Sequence, residues 1–148
     1  MRILLPFAIA AFLTPMVGHA EQTSPEGLAC FENLATPEFP KTALQAHVDG
    51  SVWTYTQATP QGAIDKVETQ VVSAWGDGPK LLTPPVEKAI RAAKVKPECA
   101  GKTVSVVFRY QLFGEATPNP KIKTRTDGNI MYIESQPESV TEAKSHQK

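Results

Sequence analysis

KTVSVVFRYQL, residues 102–112, is the stretch from which the fold is best predicted. Its apolar and polar side chains alternate along the chain. One face would carry Val104, Val106, Phe108, Tyr110 and Leu112, and the other Ser105, Arg109 and Gln111, with Val107 alone out of step. A period of two in β-branched and aromatic residues predicts a strand with one buried face. Such a strand needs other elements to cover that face and neighbours to pair with its backbone.

Two further strands are predicted upstream. Residues 51–58 (SVWTYTQA) and 64–74 (IDKVETQVVSA) are separated by Thr-Pro-Gln-Gly, a turn by composition, so they form a hairpin. The alternation in the first of these strands does not decide which face is buried: either the side with Val52 and Thr54 or the side with Trp53 and Tyr55 faces the core.

Two helices complete the set of elements. The first covers residues 41–47, with Pro40 before it and Asp49-Gly50 as its exit. The second is predicted from an apolar stripe at three- and four-residue spacings, with Thr83 as N-cap and Pro84 at the first helical position. That stripe consists of Leu82, Val86, Ala89, Ile90 and Ala93.

The order helix, strand, strand, helix, strand predicts an α+β fold. The second helix carries the chain back along the sheet, so the last strand runs in the same direction as residues 64–74. In an antiparallel sheet its neighbour must then be residues 51–58. We therefore expect a small three-stranded antiparallel sheet, in the order second-first-third, with both helices on one face and residues 102–112 at an edge.

The N-terminus has the layout of a secretory signal peptide. Residues 1–20 carry Arg2, an apolar run and a small-x-small site ending at Ala20. A membrane anchor is the alternative, but the run is shorter than the roughly 20 residues that a spanning helix needs, and Pro6 and Pro15 interrupt it. We expect cleavage after Ala20, followed by a leader at residues 21–36.

Composition narrows the class of function. The 15 basic and 15 acidic residues balance, so no charge pattern indicates binding to nucleic acid or to an anionic membrane. Cys30 and Cys99 are the two cysteines, and in an exported protein an isolated pair most often forms a disulfide. A metal or redox role is the alternative, which the lack of C-x-x-C and of an adjacent His disfavours.

Several short motifs, in order, resemble the C-terminal domain of TonB energy transducers, a fold shared with TolA. They are PEFPKTA from residue 37, DGSV from residue 49, QGAIDKV from residue 61, VSAWGDG from residue 72, AIRAAKVKP from residue 89 and GKTV from residue 101. Together they span most of residues 37–113, the predicted domain. Each is short and degenerate, and their order and spacing carry the resemblance.

The resemblance implies a periplasmic module that adds an extended partner segment, such as that of an outer-membrane receptor, to the edge of its sheet. Backbone hydrogen bonds then give affinity and alternate side chains give selectivity. Phe39 and Pro40 match the start motif. The matching edge residues are Lys102, Thr103, Val104, Ser105, Val106, Val107, Phe108, Arg109, Tyr110, Gln111 and Leu112.

The chain also departs from the transducers. It shows no Pro-rich spacer, and Lys94-Val95-Lys96-Pro97 stands where the family carries an aromatic corner. We therefore expect a stand-alone module rather than one driven from the inner membrane.

The region after the predicted domain is looser in composition. Residues 114–134 contain a linker and a possible hairpin around Asp127-Gly128, the strongest two-residue turn signal in the chain. An isolated hairpin is marginal in water, so it either docks, even onto the free edge, or is poorly ordered. Residues 135–148 are polar without apolar periodicity and are expected to be disordered.

No motif indicates an enzyme, a cofactor or a metal. The chain has neither a Gly-rich phosphate loop nor H-E-x-x-H, and Asp65, Glu68 and Asp77 are best interpreted as solvated surface charges. Two functions remain: a protein-binding module that uses an edge strand, or a structural protein whose edge is capped or pairs with a second copy as a homodimer.

Overall fold

The computed structural model describes residues 26–72 and 76–140, so the predicted signal peptide lies outside the described residues. Within them the chain forms two α-helices, α1 (Lys41–Gln45) and α2 (Gly78–Ala92), and short 3-10 helices at Gly27–Cys30 and Pro97–Cys99. The strands are β1 (Gly50–Ala58), β2 (Ile64–Val72), β3 (Thr103–Leu112), β4 (Lys123–Asp127) and β5 (Ile130–Ser135). No helix in these ranges is both long and apolar enough to cross a bilayer.

The sheet corrects the predicted topology. It has five strands in the order β2-β1-β3-β5-β4, and it is mixed because β3 and β5 run parallel. The three-stranded antiparallel sheet with residues 102–112 at its edge is therefore wrong, although the α+β class holds. The hairpin around Asp127-Gly128 forms and docks, because Met131 and Ile133 give β5 a buried face. Burying a large apolar side chain stabilises by about 1.5–3 kcal/mol, which an undocked hairpin would forgo.

One face of the sheet packs against the helices and forms the core. Val52, Phe108 and Met131 lie in register across β1, β3 and β5, and all three are buried. This register settles the open question in β1, because residues paired across strands share a face. The side with Val52 and Thr54 is inside, while Trp53 and Tyr55 lie on the open face, 39% and 36% exposed.

Helix α2 begins earlier than the sequence predicted. It starts at Gly78 rather than after Thr83, with Pro79 in its first turn and Pro84 and Pro85 inside it. The predicted N-cap at Thr83 is therefore wrong. Proline inside a helix removes a backbone bond, and here the buried apolar stripe compensates for that loss. The buried stripe contains Leu82, Val86, Ala89 and Ile90.

The exit from α1 also differs in detail. The helix ends at Gln45, and His47 takes the left-handed conformation with φ 54°, whereas Gly50 begins β1. A left-handed residue other than Gly is uncommon, so His47 is the strained position of this turn.

The predicted disulfide between Cys30 and Cys99 is confirmed. Next to the disulfide, backbone hydrogen bonds join the leader to the segment that connects α2 with β3. The N–H of Lys96 donates to the carbonyl of Cys30 at 2.8 Å, and the N–H of Glu32 donates to the carbonyl of Lys94 at 2.9 Å. Residues from Gly27 onwards, in the predicted leader, therefore contact the folded chain.

The end of the described chain is also part of the fold. Ser135 closes β5 and is buried, and the N–H of Glu138 donates to the carbonyl of Leu44 at 3.1 Å. A Glu138 carboxylate oxygen lies 3.4 Å from the Lys41 ammonium. Residues 135–138 of the predicted tail therefore contact the folded chain, and its last part, 141–148, lies outside the described residues.

Candidate functional site: the edges of the sheet

The predicted binding strand lies in the middle of the sheet. Thr103–Leu112 forms β3, and Lys102 immediately precedes it. β1 pairs with one side of β3 and β5 pairs with the other side over the half from Val107 to Leu112. The prediction that residues 102–112 offer a free edge is therefore wrong for that half. The sequence predicted the hairpin and left open whether it docks onto this edge; the structure shows that it does, with β5 parallel to β3.

The other half of β3 borders a small cavity. Pairing with β5 begins at Val107, so residues 103–105 run beyond it. Gly27, Asn129 and both disulfide cysteines line the cavity beside them, which has a volume of about 230 Å³. Gly27 has φ 57°, and a β-carbon there would collide with the Asn129 side chain. This short, flanked stretch is a poor template for a long incoming strand.

The two residues of the predicted start motif, Phe39 and Pro40, differ from each other in their burial and contacts. Phe39 is 2% exposed and packs edge-to-face on Tyr110, with ring centroids 5.0 Å apart. The Tyr110 hydroxyl donates to the carbonyl of Glu38 at 3.2 Å. Burial, followed by the charge of Glu38, raises the pKa of Tyr110 well above its ordinary value. Phe39 therefore anchors the chain before α1 to the core, while Pro40 is half-buried beside α1.

The direction of the backbone groups follows from one hydrogen bond. The N–H of Val107 donates to the carbonyl of Asn129 at 3.0 Å, so odd-numbered residues of β3 face β5 and even-numbered ones face β1. Thr54 pairs with Val106, so even-numbered residues of β1 bond to β3. The odd-numbered residues of β1 must then bond to β2.

The outer side of β2 is left open by this alternation. Tyr55 pairs with Glu68, so even-numbered residues of β2 bond to β1. Val67, Thr69 and Val71 therefore direct N–H and C=O groups away from the sheet. None of these three takes a backbone hydrogen bond from another described segment. The strand order predicted from the sequence already placed residues 64–74 at an edge, but it assigned the binding site to the other edge strand, residues 102–112.

The side chains of β2 hold it in place without closing its edge. The Thr69 hydroxyl donates to a Glu87 carboxylate oxygen of α2 at 3.1 Å. Val67 and Val71 are half-buried on the same side of the sheet. On the opposite face a hydrogen bond and the charge of Glu68 raise the pKa of Lys66. The strand is thus positioned by α2 and keeps an apolar margin next to its open backbone.

The opposite edge, β4, has a different character. All five residues of β4 are exposed, and they read KTRTD. Arg125 donates to a Glu134 carboxylate oxygen at 2.8 Å and lies 3.5 Å from the centre of the Tyr132 ring. A short edge strand carrying Lys and Arg is a common protection against unwanted strand pairing.

The described residues contain no candidate metal site, and comparison with known proteins identifies no family. No group of three or more His, Cys, Asp or Glu in residues 26–72 and 76–140 is placed to hold a metal ion. No protein-family model matches the chain, and no curated protein matches it in sequence. The resemblance to TonB C-terminal domains accordingly rests on the short motifs quoted above.

Proposed function

We propose that this protein is a non-catalytic, exported protein-binding module that adds an extended partner segment to the outer side of β2. The observation that carries the proposal is the open backbone of Val67, Thr69 and Val71 on a strand of nine residues. In such strand addition, main-chain hydrogen bonds supply affinity and side chains at alternate positions supply selectivity.

The contrast between the two edges supports the choice of β2. β4 has five residues, all exposed, whereas β2 has nine and has half-buried valines beside its open backbone; each strand carries three charged residues. A partner strand on β2 would extend the sheet over α2 and cover those valines. The same partner on β4 would meet a strand without any half-buried side chain, and so little apolar area to cover.

The setting that fits the proposal is the periplasm. The predicted signal peptide and the disulfide are compatible with export, because disulfides persist in oxidising compartments. By the resemblance to TonB domains, the partner would be an extended segment of an outer-membrane receptor in transport across that membrane. This chain differs in using β2, since β5 fills the place beside β3.

Site-specific photo-crosslinking tests the proposal. A photoreactive residue replaces Gln70, on the open face of β2, and in a matched control it replaces Arg125 on β4. We expect envelope proteins to be captured from position 70 and not from position 125. The capture should disappear when Val67→Pro removes an outward N–H, because proline cannot donate to an added strand. Equal capture from both positions, or capture unchanged by Val67→Pro, would refute the proposal.

The second candidate is a structural protein that assembles through β2. The capping of β3 by β5 favours a closed, self-sufficient sheet, and the same open β2 backbone would pair with β2 of a second copy. Sedimentation velocity distinguishes the two functions. A concentration-dependent dimer abolished by Val67→Pro indicates assembly, and a monomer that captures a partner indicates binding.

A further inference from the structure

A groove separate from the sheet edges runs between α2 and residues 35–42. Its volume is about 670 Å³, which falls within the range of sites that hold drug-sized ligands or short peptides. Its walls are largely apolar, and they include Pro37, Pro40, Leu81, Pro84, Pro85 and Ala89. Phe39, buried against Tyr110, fixes one wall, and the buried stripe of α2 fixes the other.

The helix wall of the groove carries unusual hydrogen-bond acceptors. In a helix the carbonyls of Lys80 and Leu81 would accept bonds from the N–H groups of residues 84 and 85. Both of those residues are prolines and have no N–H. Lys80, Leu81, Pro84 and Pro85 all line the groove, so the two carbonyls that lack their helical donors belong to residues of its wall. A ligand with N–H donors can satisfy them.

The rim of the groove is positively charged. Lys41, Lys80 and Lys88 line it together with one acid, Glu38. The side chains of Lys41 and Lys80 are exposed, and their ammonium groups pair with the largely buried Glu138 and with the exposed Asp77, respectively. Lys88 is exposed and makes no ion pair with the described residues. The charge therefore favours an anionic partner.

We propose that this groove binds an extended acidic peptide segment with apolar side chains. The three features of the groove require three features of the ligand at once. Backbone N–H groups satisfy the carbonyls of Lys80 and Leu81, apolar side chains fill the proline-lined walls, and carboxylates meet the lysines of the rim. A fatty acid offers the second and third features but not the first, so a peptide is the better match.

Fluorescence anisotropy with the full chain tests this proposal. The probe is a fluorescein-labelled octapeptide of alternating Glu and Leu, and its control is the same peptide with Lys in place of Glu. We expect saturable binding of the Glu peptide and at least about tenfold weaker binding of the Lys peptide. Lys80→Glu with Lys88→Glu should weaken the Glu peptide by about tenfold, and Lys123→Glu on β4 should not.

The proline variant separates binding from folding. Pro84→Ala with Pro85→Ala restores both helical N–H groups, so α2 should become more stable while the Glu peptide binds about tenfold more weakly. Pro118→Ala, in a loop, is the matched control and should change neither property. Because the variant is expected to melt at a higher temperature, a loss of binding cannot come from unfolding.

Three results would overturn the proposal. They are binding of the Glu peptide unchanged by the double proline variant, equal affinity for the Lys peptide, and no binding of the Glu peptide by a chain that binds the fatty acid dodecanoate tightly. The outcome does not depend on the proposed use of β2, because Val67→Pro should leave the anisotropy titration unchanged.

Discussion

Thr56 is a buried polar residue whose replacement should stabilise the protein. Its side chain is 0% exposed, and its hydroxyl has no hydrogen-bond partner among the described residues. Leaving a hydroxyl buried and unpaired costs about 1–3 kcal/mol. Valine has nearly the same shape, so Thr56→Val removes this cost without leaving a cavity. We expect the free energy of unfolding to rise by about 1–2 kcal/mol.

Thr54 provides the matched control two residues earlier on the same strand. It is equally buried, but its hydroxyl donates to the carbonyl of Val106 at 3.0 Å. Thr54→Val therefore loses a hydrogen bond worth about 0.5–1.5 kcal/mol and should be neutral or destabilising. Urea unfolding of both variants measures the difference through the denaturation midpoint, provided the m-value is unchanged.

The sign of the difference decides whether the reasoning about these two threonines is correct. Thr56→Val should unfold at higher urea than the wild type, and Thr54→Val should not. If Thr56→Val destabilises the protein, or if both variants gain equally, then the Thr56 hydroxyl is satisfied by a partner and the hydrogen-bond argument fails.

Three further predictions concern the disulfide, the hairpin and Tyr110. Cys30→Ser with Cys99→Ser should lower the free energy of unfolding by about 4 kcal/mol, because the disulfide closes a loop between cysteines 69 residues apart in the sequence. A loss below about 1 kcal/mol in urea unfolding would contradict the chain-entropy reasoning. Ile133→Ala in β5 should lower the free energy of unfolding by about 2–5 kcal/mol, while Thr126→Ala on the exposed β4 should be nearly neutral. Equal effects of the two variants in thermal unfolding would mean that the hairpin is not part of the core. Because the pKa of Tyr110 is raised in the folded state, its hydroxyl ionises at a lower pH in the unfolded chain, and the free energy of unfolding should fall as the pH rises above about 10. Tyr110→Phe should flatten this pH dependence of stability. An unchanged slope in alkaline unfolding curves would refute the prediction.

Local patterns in the sequence were sufficient for some elements of the fold. The alternation in β3 and the apolar stripe of α2 each reflect which side of a single element is buried, and both elements form. The pairing of Cys30 with Cys99 was also predictable, because the chain has no other cysteine.

Non-local arrangements were not predictable in the same way. Asp127-Gly128 specifies a hairpin, but nothing within the hairpin specifies that β5 joins β3 in parallel. That one pairing moves β3 from the edge to the centre and leaves β2 as the longer open edge. The start of α2 was misjudged because Pro84 fits a first helical turn, whereas tertiary packing holds it inside the helix.

Amide hydrogen exchange along β2 tests the central claim most directly. In the isolated protein we predict that the amides of Val67, Thr69 and Val71 exchange at least about tenfold faster than those of Glu68 and Gln70. Adding the crosslinked partner segment should slow the exchange of the first three amides selectively. If those three are already as protected as Glu68 and Gln70 in the isolated monomer, the β2 edge is closed and the proposed strand addition cannot occur there.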